Sequence, residues 1–374
     1  MQGLELRSLA TSDGRLRLSL ETVTLDEPGP DELVVRVEAT PVNPSDVGLL
    51  FGPADVSTFR REEGPERAVA VADIPRQRLQ AIGGRIDRSL PVGNEGAGTV
   101  VKAGAHVQHY LGRTVGMLGG GMYTQLRRLP ARDCILLPEG TDVADGASMF
   151  VNPLTSLGFT ETMKAEGHTA IVHTAAASNL GRMLNRICLK DGIPLVNIVR
   201  SQAQATILRD IGATHVVDSS SPGFAAELAD AVADTGATLG FDAIGGGPLA
   251  GQILQAMEDA ASRAASANYN IYGTDTFKQV YVYGGLDTGP TVIHRGFGFG
   301  WSLGGWLLTP FLRKAGPEVM ARMRKRVVAE LTTTFASRYT RVISLADALD
   351  PDILAAFERK STGEKYLIDP SLQA

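Results

Sequence analysis

Over the first 150 residues the apolar positions come in short runs that read as β-strands. Leu33-Val34-Val35-Arg36-Val37-Glu38-Ala39 alternates in part, Gly98-Thr99-Val100-Val101 and Arg113-Thr114-Val115-Gly116-Met117 follow, and glycine or proline punctuates each run. From about Asn152 the pattern changes to strand-helix alternation. Ala170-Ile171-Val172-His173 predicts a short buried strand, Thr174 to Gly181 a turn of small residues, Arg182 to Lys190 a helix, and Leu195-Val196-Asn197-Ile198-Val199 a second strand. A helix over Gly223 to Thr235, a strand at Thr238 to Asp242, a helix from Pro248 to Ser266 and a strand at Val280 to Tyr283 continue the series. Such alternation implies a parallel sheet covered by helices on both faces.

The chain therefore divides into residues 1–151, a mostly β domain; 152–310, an α/β domain; and 311–374, which returns to complete the first. The last part runs through a helix-like Pro317 to Leu331 and ends in Glu364-Lys365-Tyr366-Leu367-Ile368. Residues 53–89, rich in Arg, Glu, Ala and Pro, interrupt the first domain and read as an exposed surface insertion, with a lid as the alternative.

With 374 residues, 44% of them hydrophobic, the chain is long enough for two separate cores. A net charge of -5 gives no general attraction to nucleic acid or to an anionic membrane, and Arg322, Arg324, Lys325 and Arg326 read as a solvated helix face. The uncharged run Gly296 to Leu312 falls short of the roughly 20 apolar residues of a membrane span and is broken by glycines. It reads instead as a buried strand and turn at a domain or subunit contact. Only Cys134 and Cys188 are present, too few for a disulfide framework or a thiolate metal cage, and the N-terminus has no apolar signal core. The expected compartment is the cytoplasm.

Candidate chemistry concentrates between Thr169 and Asp218. Small residues after the first strand let the backbone approach a pyrophosphate at a helix N-terminus, and Arg200, at the end of the second strand, can meet a 2′-phosphate. That pairing points to NADP(H).

Several motifs, in order, resemble the medium-chain dehydrogenase/reductase superfamily, in particular its zinc-free quinone oxidoreductase and enoyl reductase branches. They are Val42-Asn43-Pro44-Ser45-Asp46, Pro91-Val92-Gly93-Asn94-Glu95-Gly96-Ala97-Gly98, Gly121-Met122-Tyr123-Thr124-Gln125, Val151-Asn152-Pro153-Leu154-Thr155-Ser156, Ile211-Gly212-Ala213-Thr214-His215-Val216-Val217-Asp218 and Phe241-Asp242-Ala243-Ile244-Gly245-Gly246. The resemblance implies a GroES-like β-barrel-type catalytic domain joined to a Rossmann doubly wound parallel sheet, with the nucleotide between them. It also implies a homodimer, and hydride transfer from NADP(H) to a quinone or an activated C=C bond of a small apolar substrate. The alternative is a non-catalytic nucleotide-sensing or structural member of the same fold.

Zinc-dependent relatives carry a cysteine where this chain has Asn43 to Asp46. Asp46 and Glu95 have no His or Cys beside them to complete three ligands, so no metal is expected. Enoyl reductases place a tyrosine shortly after Asn-Pro-Ser-Asp, whereas this chain has Gly52-Pro53-Ala54, which moves quinone reduction ahead of a thioester role.

The candidate cofactor contacts are Asn43, Thr155, Ser178, Asn179, Leu180, Gly181, Arg200, Asp242, Ile244, Gly245, Tyr283 and Gly284. Thr155 is read either as a carboxamide partner or as the cap of a helix starting there. Tyr123 and Asn43 are the candidate catalytic residues. Core packing competes for Tyr123 and an Asx-type turn for Asn43, and His173 reads as a buried, satisfied histidine. In Asn179 the side chain fills space that a glycine would leave to the pyrophosphate.

Overall fold

The computed structural model describes residues 1–265, 270–359 and 363–372. Two compact units emerge: Met1–Val151 with Ala336–Ala374, and Asn152–Phe335. The chain returns to the first unit at Ala336, later than residue 311. The helix Leu308–Ala329 packs within the second unit, where Arg322 pairs with Glu161 (2.6 Å) and Arg326 with Asp191 (2.7 Å). The basic run is thus only partly a solvated face.

The first unit is built on two mainly antiparallel sheets. Strict alternation in Arg15-Leu16-Arg17-Leu18-Ser19-Leu20 buries Leu16, Leu18 and Leu20 on one face of strand Arg15–Thr24, which pairs along its length with Gln2–Ala10. Those strands form a five-stranded sheet with Ser89–Pro91, Val69–Asp73 and Arg60–Glu62. Residues 53–89 are therefore no surface decoration. Val69 to Ala72 are buried, and Val69–Asp73 adds to Arg15–Thr24 in antiparallel register. A sheet edge offers unpaired backbone groups, and this segment satisfies one. Arg85 from the same segment donates to the carbonyls of Leu49 (2.5 Å) and Gly48 (3.4 Å) and to Ser8 Oγ (2.7 Å), capping the helix Pro44–Leu50. The second sheet is organised around Glu32–Pro41, which pairs with Glu95–Ala103, Leu126–Pro130 and Tyr366–Ile368.

The second unit holds a six-stranded, all-parallel sheet. Its order is His215–Asp218, Leu195–Val199, Ile171–His173, Leu239–Asp242, Lys278–Val282, Trp301–Gly305. In chain order that is 3-2-1-4-5-6, the doubly wound arrangement, and the central strands are buried throughout because both faces are covered. The helix Asn179–Asp191 buries Gly181, Leu184 and Cys188, spaced three and four apart, along one stripe. The predicted helix from Pro248 spans Leu249–Ala264; Ser266 lies outside the described residues. The Gly296 to Leu312 run supplies the edge strand Trp301–Gly305. Phe297 and Trp306 are buried, while Phe299 and Leu307 are exposed. Among the described residues no helix is long and apolar enough to cross a membrane.

Candidate active site

In a doubly wound sheet, ligands gather at the carboxyl ends of the strands where the order reverses, here between Ile171–His173 and Leu239–Asp242. Thr174 and Asp242, the residues ending those two stretches, are joined there. Thr174 Oγ1 donates to Asp242 Oδ1 (2.7 Å) and accepts from the Ala243 amide (2.8 Å), while Asp242 also accepts from the amides of Ile244 (3.0 Å) and Gly245 (3.1 Å). Asp242 is fully buried and its carboxylate is occupied by the turn it shapes. Thr174 was not among the candidates drawn from the sequence. A hydroxyl directly after the first strand, in register with an acid that ends the fourth, is the signal that could have found it.

From Thr174 the chain turns through Ala175, which has a left-handed φ of 50°, into the helix capped by Ser178, whose Oγ accepts from the Gly181 amide (3.1 Å). A Cβ on Gly181 would overlap the backbone of Ala176, so this glycine is fixed by close approach of helix and turn. Asn179 and Leu180 occupy the first helical positions and are half-buried. Arg200 is exposed one residue beyond the second strand, its amide bound to Gln204 Oε1 (3.0 Å). Ser178, Asn179, Leu180, Gly181 and Arg200 thus stand at the carboxyl ends of adjacent strands. The crowded glycine, the capped helix N-terminus and the exposed cation fit a dinucleotide pyrophosphate with a 2′-phosphate.

Across the switch point lies a cleft of about 480 Å³ lined by Tyr283, Gly284, Gly285, Trp306, Leu307 and Pro310. A Cβ on Gly284 would press on the Ala243 backbone, and one on Gly245 on the Gly284 carbonyl, so these glycines keep two loops in contact. Beneath the cleft sits a ring cluster centred on Phe159, stacked on Phe241 (4.0 Å between centroids) and edge-on to Tyr283 (4.7 Å) and Trp306 (4.9 Å). Gly158 leaves room for the Trp306 indole, whose Nε1 donates to Thr162 Oγ1 (3.1 Å).

His173 joins this cluster and is not the satisfied histidine expected. Its Nε2 lies 2.7 Å from the Tyr283 hydroxyl, but its Nδ1 is buried with no hydrogen-bond partner, a deficit of about 1–3 kcal/mol. Burial pushes the imidazole pKa down to about 3, so the ring is neutral, and burial pushes the Tyr283 phenol well up, with the Asp242 charge adding to it. Thr155 is buried inside the helix Val151–Ala165, one turn past its start, and so does not cap it.

In the first unit the two motifs Asn43 to Asp46 and Asn94-Glu95 meet. Asp46 accepts from the amides of Asn43 (2.8 Å) and Asn94 (2.8 Å); Glu95 accepts from Asn43 Nδ2 (2.8 Å) and from the amides of Phe150 and Val151 (both 2.9 Å). Burial raises the Asp46 carboxyl to about 7 and shifts Glu95 upward as well. Tyr123 is fully buried, its hydroxyl donating to the Pro41 carbonyl (3.2 Å), and burial with the nearby Asp46 drives its pKa well above the usual phenol value. Those contacts are those of a packed aromatic. Among the described residues no three of His, Cys, Asp or Glu are grouped to hold a metal ion.

The fold matches that of quinone oxidoreductase structures of the medium-chain dehydrogenase/reductase type, and the chain's relatives and structural neighbours include enoyl reductases, quinone reductases and polyketide synthases. The chain is 30% identical over 210 residues to the mitochondrial enoyl-[acyl-carrier-protein] reductase of Xenopus tropicalis, covering 54% of this chain and 51% of that one. It is 27% identical over 158 residues to a quinone oxidoreductase of Pseudomonas aeruginosa, covering 41% and 49%. The chain spans about half the length of the curated relatives it matches. The structure of Escherichia coli quinone oxidoreductase complexed with NADPH superposes with a TM-score of 0.67 over 99% of this chain and 100% of that one, at 15% identity. No family model matches.

Proposed function

We propose that the chain is an NADPH-dependent reductase that passes hydride to a quinone or to a C=C bond conjugated with a carbonyl. The observation that carries this reading is the placement, along the carboxyl edge of one 3-2-1-4-5-6 sheet, of the Gly181-crowded turn, the exposed Arg200 and the aromatic cleft at Tyr283. NADPH, when bound, supplies the hydride. The turn Ala175 to Gly181 brings backbone amides to the pyrophosphate, and Arg200 selects the 2′-phosphate. Gly284 lines the cleft and Gly245 lies against its carbonyl; these two, with Ile244, are the proposed backbone contacts, and Thr155 remains the candidate carboxamide partner. Tyr283, Trp306, Leu307 and Pro310 give the reacting end a largely apolar wall, so that positioning contributes much of the rate. Asn43 keeps its proposed role through an amide oriented by Glu95. Protonation of the product falls to water, because the Tyr123 hydroxyl is buried and committed to a carbonyl.

A homodimer is part of the proposal. Among the described residues Trp301–Gly305 pairs on one side only, and it carries no charge to discourage further pairing, so this edge suits a second copy. The two buried free cysteines suit a reducing compartment such as the cytoplasm.

Titration with NADPH and NADH, followed by NADPH oxidation with a panel of quinones, enones and enoyl thioesters, tests the reading. Arg200→Ala should lose about ten- to hundredfold in NADPH affinity, the worth of a charge-assisted bond, and keep its NADH affinity. Binding of neither nucleotide, or a wild-type preference for NADH, overturns it.

A further inference from the structure

His173 is an expensive choice for its position. The strand Ile171–His173 is otherwise apolar and fully buried, and an apolar side chain there would leave no polar atom unsatisfied. The imidazole instead spends Nε2 on the Tyr283 hydroxyl at 2.7 Å and leaves Nδ1 without a partner. The two rings lie 5.7 Å apart with planes 16° from parallel, and Phe159 meets the Tyr283 ring edge-on from another side. Tyr283 is a wall of the cleft, on the loop that follows strand Lys278–Val282.

We infer that His173 is a positioning residue: it holds Tyr283 by its hydroxyl and so fixes the aromatic surface that the cleft offers to the reacting end of its ligands. The inference rests on the reductase reading. Without Nε2 the phenol would lose its bond inside an aromatic cluster, and its lowest-cost alternative is to swing the hydroxyl toward the open mouth of the cleft. Because burial keeps the imidazole neutral down to about pH 3, the contact holds across the working range and transfers no proton. A neutral bond of this kind misplaces a wall when lost; it does not alter a titration.

The test compares His173→Phe, His173→Gln, Tyr283→Phe and the double variant His173→Phe/Tyr283→Phe in NADPH oxidation by a naphthoquinone. Either Phe variant should lose about five- to tenfold in kcat/KM, the worth of one hydrogen bond. The double variant should lose no more than the worse single one, because both remove the same contact. His173→Gln, which can still reach the hydroxyl, should recover most of the loss, and the pH profile should keep its shape in every variant. Losses that multiply, a wild-type kcat/KM in His173→Phe, or a shifted pH profile overturn the inference. If the wild type leaves NADPH unoxidised with every quinone, enone and enoyl thioester offered, the reductase reading fails on its own. A crystal structure of His173→Phe then decides the positioning claim: Tyr283 displaced from the wall supports it, and Tyr283 in place overturns it.

Discussion

Lys278→Met probes the strand that delivers Tyr283 to the cleft. Lys278 is fully buried at the start of that strand; its Nζ donates to Glu258 Oε2 (2.6 Å) and to the Thr276 carbonyl (2.8 Å). Methionine fills a similar volume and makes neither bond. Removing one partner of a buried pair costs about 3–5 kcal/mol when the remaining charge is uncompensated. Glu258 keeps the Thr274 amide (2.7 Å) and hydroxyl (2.8 Å), which places the expected loss at about 3 kcal/mol, the lower end of that range. Both tryptophans of the chain, Trp301 and Trp306, lie in the second unit, so tryptophan fluorescence in urea follows the unit that carries the substitution. With a slope of about 2–3 kcal/mol per M, the midpoint should fall by about 1–1.5 M.

The pH dependence sharpens the test. In the native protein burial pushes the Glu258 carboxyl up, but the Lys278 and Thr274 bonds outweigh it and hold the group below its usual value. A depressed native pKa stabilises above the unfolded value of about 4.3 and loses that contribution as pH falls through the native one. Without Lys278 burial prevails, the native carboxyl titrates higher, and the variant regains relative stability as pH falls toward about 4. The gap between the two proteins should therefore be larger at about pH 7 than at about pH 4. A midpoint shift below about 0.3 M, or an equal gap at both pH values, would refute the reasoning.

Gly181→Ala should cost about 1–3 kcal/mol and abolish measurable NADPH binding by titration, because its Cβ meets the Ala176 backbone, which cannot yield without moving the turn; unchanged binding would contradict that account. Ala175→Gly should stabilise the second unit by about 0.5–1 kcal/mol in the same urea assay, since its φ of 50° strains an L-residue; a loss of stability would count against the strain. Arg85→Met should cost about 1–3 kcal/mol and speed hydrogen exchange of the Pro44–Leu50 helix amides; unchanged exchange would refute the capping role of Arg85.

The second unit was largely legible because each of its elements carries its own period. The strand Leu195–Val199 falls where its apolar run lies, and the helix Phe224–Thr235 begins one residue from the expected start. The mixed segment 53–89 was misread. Its charged residues hide the short apolar run Val69-Ala70-Val71-Ala72, and whether such a run is a strand depends on a partner edge, Arg15–Thr24, about 50 residues away.

The sequence alone determined the strand-helix alternation, the small-residue turn ending in Gly181 and the cation at Arg200, because propensity, period and residue size act locally. Tertiary structure decided what those residues touch. It committed Asp242 to Thr174 and the Ile244–Gly245 amides, packed Tyr123 against the Pro41 carbonyl, and set His173 against Tyr283 across 110 positions with one nitrogen unsatisfied. Hydrogen bonds of that reach depend on how strands are ordered in the sheet, which no local pattern in the chain records.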